Sequence, residues 1–371
     1  MKRLFVLAGE ASGDLYGGAF IRALKARVPD LEVCGWGGEE MERAGATVTR
    51  HFRELNFMGF AEVVRHLPTI LRNLREARRE VLAFRPDAFL GVDFPGFNVR
   101  LEGALRGEGI RIHHAISPAI WAWRPGRIHT LARTVDRMHV ILPFEAELYT
   151  AAGIDVRFIG HPLLDLPTPP PLAADLLPGV PPEAPLLALL PGSRAQELHR
   201  MLPVLLGAAA AVRAARPDVQ AVVAAAPGAD PDHYAPARAA GIPVVHGATR
   251  SLLAHSRAAL VTSGTATLET ALFGTPSLIG YRTSPLTYAI ARRLARVDHI
   301  GLPNLILGTS AVPEFIQHDC TAAALARHVL PLLDPDAPER RTQCESLVRL
   351  RSLLGGPGAA ERLADSLLET P

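Results

Sequence analysis

The sequence predicts an α/β protein made of two Rossmann-like domains that face a central cleft. Apolar runs of strand length alternate with segments of helical period in both halves of the chain, a pattern typical of parallel sheets covered by helices. A proline-rich stretch separates the halves, and 371 residues suit two domains of middling size. Ligands of open parallel sheets bind beyond the carboxyl ends of the strands, so two facing domains would line a cleft with their loops.

Residues 1–165 are the predicted N-terminal domain, with strands expected at 4–8, 32–35, 88–92, 110–115 and 137–142. The first of these runs begins with charged residues, but it is short and enters a glycine turn. It is therefore interpreted as a strand, and neither a secretion signal nor a membrane span is predicted.

The second half follows a segment at 166–185 that holds eight prolines and is predicted to be the interdomain linker, because proline continues neither a helix nor a central strand. Residues 186–337 are the predicted C-terminal domain, with strands at 186–190, 219–225, 243–246, 258–261 and 276–279. The tail at 338–368 is interpreted as helical, with a break at 355–358. It is expected to pack back on the first domain or onto a second copy of the chain in a homodimer.

Composition excludes several classes of protein. A formal net charge of +2 argues against a dedicated nucleic-acid binder, which would show a strongly basic face. The three cysteines are far apart in the sequence, so neither a disulfide framework nor a zinc site is expected, and a reducing cytoplasm fits. Asp230-Pro231-Asp232 and Asp334-Pro335-Asp336 imitate a metal-binding D-x-D pattern, but proline-centred turns explain them more simply. No metal and no cofactor are predicted.

Two loops in the second half predict a site for a nucleotide diphosphate. Each follows an apolar strand and opens a helix, where free backbone N–H groups attract phosphate. Arg194 adds a planar fork of donors, and Glu269, just inside the second helix, is placed to grip ribose hydroxyls. The alternative is a pair of ordinary strand-to-helix turns. The remaining predicted donor-site residues of these loops are Gly192, Ser193, Ser263, Gly264, Thr265, Ala266 and Thr267.

The first turn of the chain, 9–14, carries Glu10, Ser12 and Asp14. So much negative charge suits a hydroxyl-rich ligand such as a sugar better than a phosphate; helix capping is the alternative. Asp93 follows another strand and is a candidate general base, or else it caps the turn at Pro95.

A third group follows the strand at 110–115: Ser117, Trp121, Trp123 and Arg124. The aromatic side chains either stack on sugar faces or fill the core. His113 and His114 are adjacent on a strand and point to opposite faces, so they make a poor metal pair.

An amphipathic segment at 58–83 combines apolar residues with arginines. This composition suits docking on an anionic membrane surface, and a helix that packs on its own core with solvated arginines is the alternative. The residues predicted to meet the membrane are Leu67, Ile70, Leu71, Arg72 and Arg75.

Six short segments, taken together and in order, resemble the lipid-A-disaccharide synthase family. They are 9–14, 117–124, 158–161, 190–194, 263–269 and 302–305. The resemblance spans nearly the whole chain. It implies a GT-B fold and an inverting, metal-independent transfer of 2,3-diacylglucosamine from UDP to the 6-hydroxyl of 2,3-diacylglucosamine 1-phosphate, by a peripheral enzyme on the cytoplasmic face of the membrane.

The resemblance also assigns residues. It implies catalytic roles for Glu10, Asp87 and Asp93 and donor binding by Arg194, Glu269 and Asn304. The chain departs from the family at Gly96, where a pattern like D-x-P-D-F-N usually supplies a second acidic residue. Two alternatives therefore stay open: a UDP-sugar enzyme with another acceptor or an epimerase activity, and a catalytically silent UDP-sugar or lipid binding protein.

Overall fold

The computed structural model describes residues 1–55, 67–123, 125–295 and 297–369. The chain divides into two compact units, Met1–Leu166 with Leu354–Pro371, and Pro167–Leu353. Each unit is built on one sheet whose strand pairs are parallel, so the prediction of two α/β domains with parallel sheets is confirmed.

The first unit contains a seven-stranded sheet in the order β3-β2-β1-β4-β5-β6-β7. Its strands are β1 Arg3–Ala8, β2 Glu32–Gly37, β3 Thr47–His51, β4 Ala88–Val92, β5 Arg111–Ala115, β6 Arg137–Val140 and β7 Val156–Phe158. The helices before β7 are α1 Ala11–Arg27, α2 Glu39–Arg43, α3 Leu67–Phe84, α4 Pro95–Leu105, α5 Ile120–Trp123, α6 Ile128–Thr134 and α7 Pro143–Ala151. The sequence did not predict β3 or β7, because these edge strands are partly exposed and lack a continuous apolar run.

The second unit contains a six-stranded sheet in the order β10-β9-β8-β11-β12-β13. Its strands are β8 Leu186–Leu190, β9 Gln220–Ala225, β10 Val244–His246, β11 Ala258–Thr262, β12 Ser277–Tyr281 and β13 Glu314–Ile316. Its helices are α8 Ala195–Ala215, α9 Ala235–Ala239, α10 Thr249–His255, α11 Thr265–Leu272, α12 Pro285–Leu294, α13 Leu302–Leu307, α14 Ala322–Leu333 and α15 Pro338–Leu353.

Helix α8 is, among the described residues, the one helix long and apolar enough to cross a membrane. Its apolar side is buried with the sheet and α14 in the core of the second unit, through residues such as Met201, Leu205 and Ala208. The apolar character of α8 is therefore explained by core packing.

The two segments at the domain boundaries have defined partners. Leu172, Leu176 and Val180 of the proline-rich segment pack against the core of the second unit. The helical tail is two helices: α15 belongs to the second unit, and α16, Ala359–Leu368, belongs to the first, where it packs on α1. The backbone N–H of Gly358, at φ 103°, donates to Asp165 before α16 begins.

Candidate active site

Strand order reverses once in each sheet. The reversal lies between β1 and β4 in the first unit and between β8 and β11 in the second. At such a point the loops after the two strands diverge and leave a crevice for a ligand. The segments at these positions, each a loop with or without the start of the next helix, are 9–14 and 93–98 in the first unit, and 191–194 and 263–265 in the second. The predicted site residues are thus concentrated at the position where this fold class binds ligands.

The loop after β8 holds its amides in place with a carboxylate of the following helix. The backbone N–H groups of Ser193 and Arg194 donate to Oε2 of Glu197 at 3.1 and 3.3 Å. The Arg194 guanidinium lies 3.2 Å from Oε1 of Glu197 and is 59% exposed. Gly192 has φ 108°, and a Cβ there would lie 2.7 Å from Glu197. Glu197 therefore fixes the loop by accepting from its backbone, as the glutamate of a capping box does, and the two amides that it binds are among those predicted to meet phosphate.

The loop after β11 leaves its tip open. Gly264 and Thr265 are exposed, and Gly264 has φ 155° with space for a Cβ. The Thr267 hydroxyl donates to the Gly264 carbonyl at 2.8 Å and Ser263 Oγ donates to the Ile300 carbonyl at 2.9 Å. Thr267 is buried and Ser263 is half-buried, so these two hydroxyls shape the loop while Gly264 and Thr265 present its surface.

Glu269 is half-buried on α11, one turn beyond this loop. Burial raises the pKa of its carboxyl, and the charge of Arg250 opposes that rise. Arg250, on α10, lies 3.5 Å from Glu269. An ionised carboxylate at this position is suited to accept from ribose hydroxyls.

Asn304 has a structural environment that the sequence did not predict. It is fully buried, its amide nitrogen donates to the Val312 carbonyl and to Glu314, and its oxygen accepts from Val312 N–H. Glu314 also accepts from Ile300 and Gly301 N–H groups at 2.8 and 3.0 Å. Asn304 and Glu314 together therefore hold the backbone at Ile300 and Gly301, and the Ser263 hydroxyl is hydrogen-bonded to the Ile300 carbonyl.

In the first unit, Asp93 lies in a turn of unusual backbone geometry. Asp93 and Phe94 both have φ 50°, a left-handed conformation that costs on the order of 1–3 kcal/mol per non-glycine residue and clusters at functional sites. Asn98 Nδ2 donates to the Asp93 carbonyl at 2.7 Å. A Cβ at Gly9 would lie 2.2 Å from the Phe94 ring, so glycine is needed where the first turn meets this one.

The surroundings of Asp93 shift its protonation equilibrium. Burial raises the pKa of its carboxyl, and the nearby charge of His114 opposes that rise. A raised pKa brings a carboxyl closer to the value that suits a general base near neutral pH.

Asp87 lies at the amino end of β4, at the opposite end of the strand from Asp93, and the catalytic role implied for it stays a prediction. It precedes β4, whereas Asp93 follows it, and six residues of strand place the two about 20 Å apart. The exposed Asp87 carboxylate accepts from the backbone N–H groups of Lys2 and Arg3. These bonds lower its pKa and tie the start of β1 to β4, so Asp87 has a structural role.

Asp14 is likewise accounted for by the fold. It is 3% exposed, and its two carboxylate oxygens accept from the backbone N–H groups of Gly38, Glu40 and Met41 at 2.7–3.2 Å. Asp14 therefore caps α2, and the contact with the acceptor sugar that the sequence suggested stays a prediction. Glu10 and Ser12 lie nearer the surface, Glu10 at the position that precedes α1.

Ser117 and Trp121 share one buried partner, Glu145 of α7. The Ser117 hydroxyl and the Trp121 indole N–H donate to Glu145 Oε1 at 2.7 and 3.1 Å, and Leu142 N–H donates to Oε2. Burial raises the pKa of Glu145 to about 7 against these hydrogen bonds. Trp123 ends helix α5, and Arg124 lies outside the described residues.

Comparison with known proteins identifies the family. Residues 4–354 match the family described as lipid-A-disaccharide synthetase. A lipid-A-disaccharide synthase of Anaeromyxobacter sp. (strain K) is 40% identical over 372 residues, which cover 99% of this chain and 97% of that protein. The chain belongs to the lipid-A-disaccharide synthase family. The predicted family and hexosyltransferase class are thereby confirmed.

Solved structures agree on the fold. A UDP complex of Staphylococcus aureus MnaA has a TM-score of 0.66 at 12% identity and covers 99% of this chain, with 96% of its own length matched. The glycotransferase of kitacinnamycin has a TM-score of 0.63 at 17% identity, with 98% of each chain covered. At these identities the likeness extends to architecture alone.

Gly96, where this member of the synthase family lacks an acidic side chain, is exposed near the start of α4. A Cβ at Gly96 would meet no atom within 4 Å, and its carbonyl accepts from Arg100. The departure therefore removes a side chain without filling its space.

Sequence reasoning missed Glu197, Arg250, Glu314, Glu145 and the pair Glu102–His114. Only Glu197 carried a local signal, a glutamate at the third position of a predicted helix. The other residues meet their partners across separate elements, which spacing along the chain does not indicate.

Proposed function

We propose that the protein transfers 2,3-diacylglucosamine from UDP to the 6-hydroxyl of 2,3-diacylglucosamine 1-phosphate, with inversion, and forms a β-1,6-linked disaccharide and UDP. The observation that carries the proposal is family membership over nearly the whole chain. The polar loops at the strand-order reversals of both sheets support it.

The second unit is proposed to hold the donor. Negative charge grows on UDP as the bond from C1 to the diphosphate oxygen breaks. The exposed Arg194 guanidinium, and the amides of the loops at Gly192 and Gly264 that do not donate to Glu197, are suited to meet that charge. Ionised Glu269, beside Arg250, would accept from the ribose hydroxyls.

The first unit is proposed to supply the base. Asp93 takes the proton of the acceptor 6-hydroxyl, the oxygen attacks C1 from the face opposite UDP, and the electron pair of the broken bond leaves with UDP. The proton ends on Asp93. Glu10 in the neighbouring turn stays a predicted catalytic residue. Ser12, Ser117, Trp121, Trp123 and Arg124 stay predicted acceptor contacts.

A turnover assay with both acylated substrates tests the proposal. We expect UDP release that depends on the acceptor, and a loss of kcat of about a hundredfold to ten-thousandfold in Asp93→Asn. UDP release that does not need the acceptor, or an epimerised product from UDP-N-acetylglucosamine alone, would overturn it.

We also propose that α3 helps to dock the protein on the cytoplasmic surface of an anionic membrane, where the lipid substrates lie. Ala77 and Val81 of α3 are in the core, while Leu71 is 44% exposed and Arg72 and Arg75 are exposed beside it. Ile70 is half-buried, and residues 56–66 lie outside the described part. Sedimentation with anionic vesicles should weaken in Leu71→Asp and stay unchanged in Ala210→Asp, an exposed position on α8.

The predicted homodimer through the C-terminal helices stays a proposal. Helix α15 leaves Val348 73% exposed and Leu353 39% exposed. Light scattering should give a molar mass of two chains for the wild type and of one chain for Val348→Asp.

A further inference from the structure

A buried acid–base pair lies beneath the Asp93 turn. Glu102, on α4, and His114, on β5, are both 0% exposed. Their contact joins His114 Nδ1 to Glu102 Oε1 at 2.5 Å. Because a buried charge without a partner is strongly destabilising, this short contact favours an imidazolium–carboxylate pair.

The backbone of β4 makes room for this pair. Gly91 lies opposite His114 in the register of β4 and β5, and a Cβ at Gly91 would lie 2.6 Å from Glu102 Oε1. Two polar atoms of the described residues here have no hydrogen-bond partner: Glu102 Oε2 and Asn98 Oδ1. Unpaired buried polar atoms each cost about 1–3 kcal/mol, so an apolar filling would serve stability better.

The pair is coupled to Asp93. Asp93 N–H donates to the carbonyl of Ala115, the residue after His114, at 2.8 Å. Burial alone would lower the pKa of His114, but the charges of Glu102 and Asp93 together raise it. In return, the His114 charge lowers the pKa of Asp93 against burial.

We propose that His114, held as an imidazolium by Glu102, is a positioning residue that keeps Asp93 ionised and ready to take the acceptor proton. This proposal rests on the role of Asp93 in the proposed function. It also gives a reason why one carboxylate can serve where Gly96 removes the second. In the reaction the hydroxyl proton passes to Asp93, and the proton of His114 stays on its ring.

The other titratable groups around the pair do not reverse this assignment. Two carboxyl groups face His114: that of Glu102, on α4, and that of Asp93, in the turn after β4. His139 lies on β6. Burial lowers the pKa of His139 well below its usual value, so it is neutral near pH 7. His113 and His139 contact each other at 3.1 Å, on the face of the sheet opposite His114 by strand alternation.

The experiment compares pH profiles of kcat/KM for His114→Gln, for Glu102→Gln and for the double variant, which leaves two neutral amides in contact. Without the His114 imidazolium, Asp93 takes up a proton more readily. The acid limb of the kcat/KM profile should therefore move to higher pH by about one unit. Activity should fall about tenfold at a pH on that limb and recover at alkaline pH. His139→Gln, a buried histidine of the neighbouring strand, is the matched control and should leave the limb in place.

A direct readout separates this proposal from the proposed function. Carbon-13 NMR of aspartate side chains, with Asp93→Asn to assign the signal, should show a higher protonation midpoint for Asp93 in His114→Gln. An unchanged midpoint in folded protein, with the fold checked by circular dichroism and by UDP binding, would overturn the role of His114. Full activity of Asp93→Asn would instead show that Asp93 is not the base of the proposed function. In that case, a protonation midpoint of Asp93 that still shifts in His114→Gln would uphold the coupling between the two residues.

Discussion

The two units present their candidate residues in contrasting ways. The loops of the second unit offer backbone amides and an arginine side chain that is 59% exposed, held in shape by Glu197 and Glu314. The first unit instead buries titratable groups, Glu102, His114 and Glu145, and its Asp93 is half-buried.

This contrast matches two different tasks. A diphosphate is recognised by preorganised dipoles and a permanent cation, neither of which depends on pH near neutrality. Proton transfer needs a group whose pKa is tuned, and burial beside charged partners supplies that tuning. The following predictions test whether recognition resides in one unit and proton chemistry in the other.

Among variants of the second unit, the largest expected effect is that of Arg194→Ala. The loss of one preorganised donor to the departing charge should lower kcat/KM about a hundredfold to a thousandfold, with the shape of the pH profile unchanged. Steady-state UDP release measures it, and Arg213→Ala, exposed near the far end of α8, is the matched control. A shifted acid limb in Arg194→Ala would break the proposed division of tasks.

Glu145 should make the first unit sensitive to pH. Its pKa is raised from 4.5 to about 7, so the folded state binds the extra proton and stability is lost as pH rises from about 4.5 through about 7. A shift of this size corresponds to about 3 kcal/mol in the free energy of unfolding.

Tryptophan fluorescence measures this effect in the first unit alone, because Trp36, Trp121 and Trp123 all belong to it. Denaturant unfolding of Glu145→Gln should lack the decline, while Glu147→Gln, exposed on the same helix, should keep it. An equal decline in Glu145→Gln would assign the pH dependence to another group.

Gly96→Asp should raise activity. The position has space for a side chain, and a carboxylate in the first turn of α4 is favoured by the helix dipole and by Arg100. A second base in the turn should raise kcat by up to about tenfold, whereas Gly356→Asp, also in open space, should not. No gain would indicate that Asp93 already fills the role.

Sequence alone predicted the strands with continuous apolar runs and the loops that follow them, because both signals are local. The edge strands β3, β7 and β13 were not predicted, since their pairing depends on a neighbouring strand rather than on their own composition. Asp14 shows the same limit: the residue is in a predicted turn, but the amides it caps lie in α2, more than twenty residues later.

For Asp87, position in the sequence and family resemblance pointed to different roles. Its place before a predicted strand already put it at the amino edge of the sheet, and only the family resemblance implied catalysis. The pairs Glu102–His114 and Ser117–Glu145 could not be predicted, because each joins residues of separate elements across the sheet or at its edge.

The smallest expected effect is that of Asp87→Asn. Its carboxylate binds two backbone N–H groups at the edge remote from the site, so kcat/KM should be unchanged and the free energy of unfolding should fall by about 1 kcal/mol. The lowered pKa of Asp87 means that its contribution is present above the unfolded value and is lost as pH falls through the folded value.

The difference between wild type and Asp87→Asn should therefore be largest near neutral pH and shrink in acid. Asp30→Asn, exposed just before β2, controls for the loss of one surface charge. A large loss of kcat in Asp87→Asn with unchanged unfolding would support the catalytic role that the resemblance implied. It would also contradict the argument that chemistry is confined to the carboxyl edge of the first sheet.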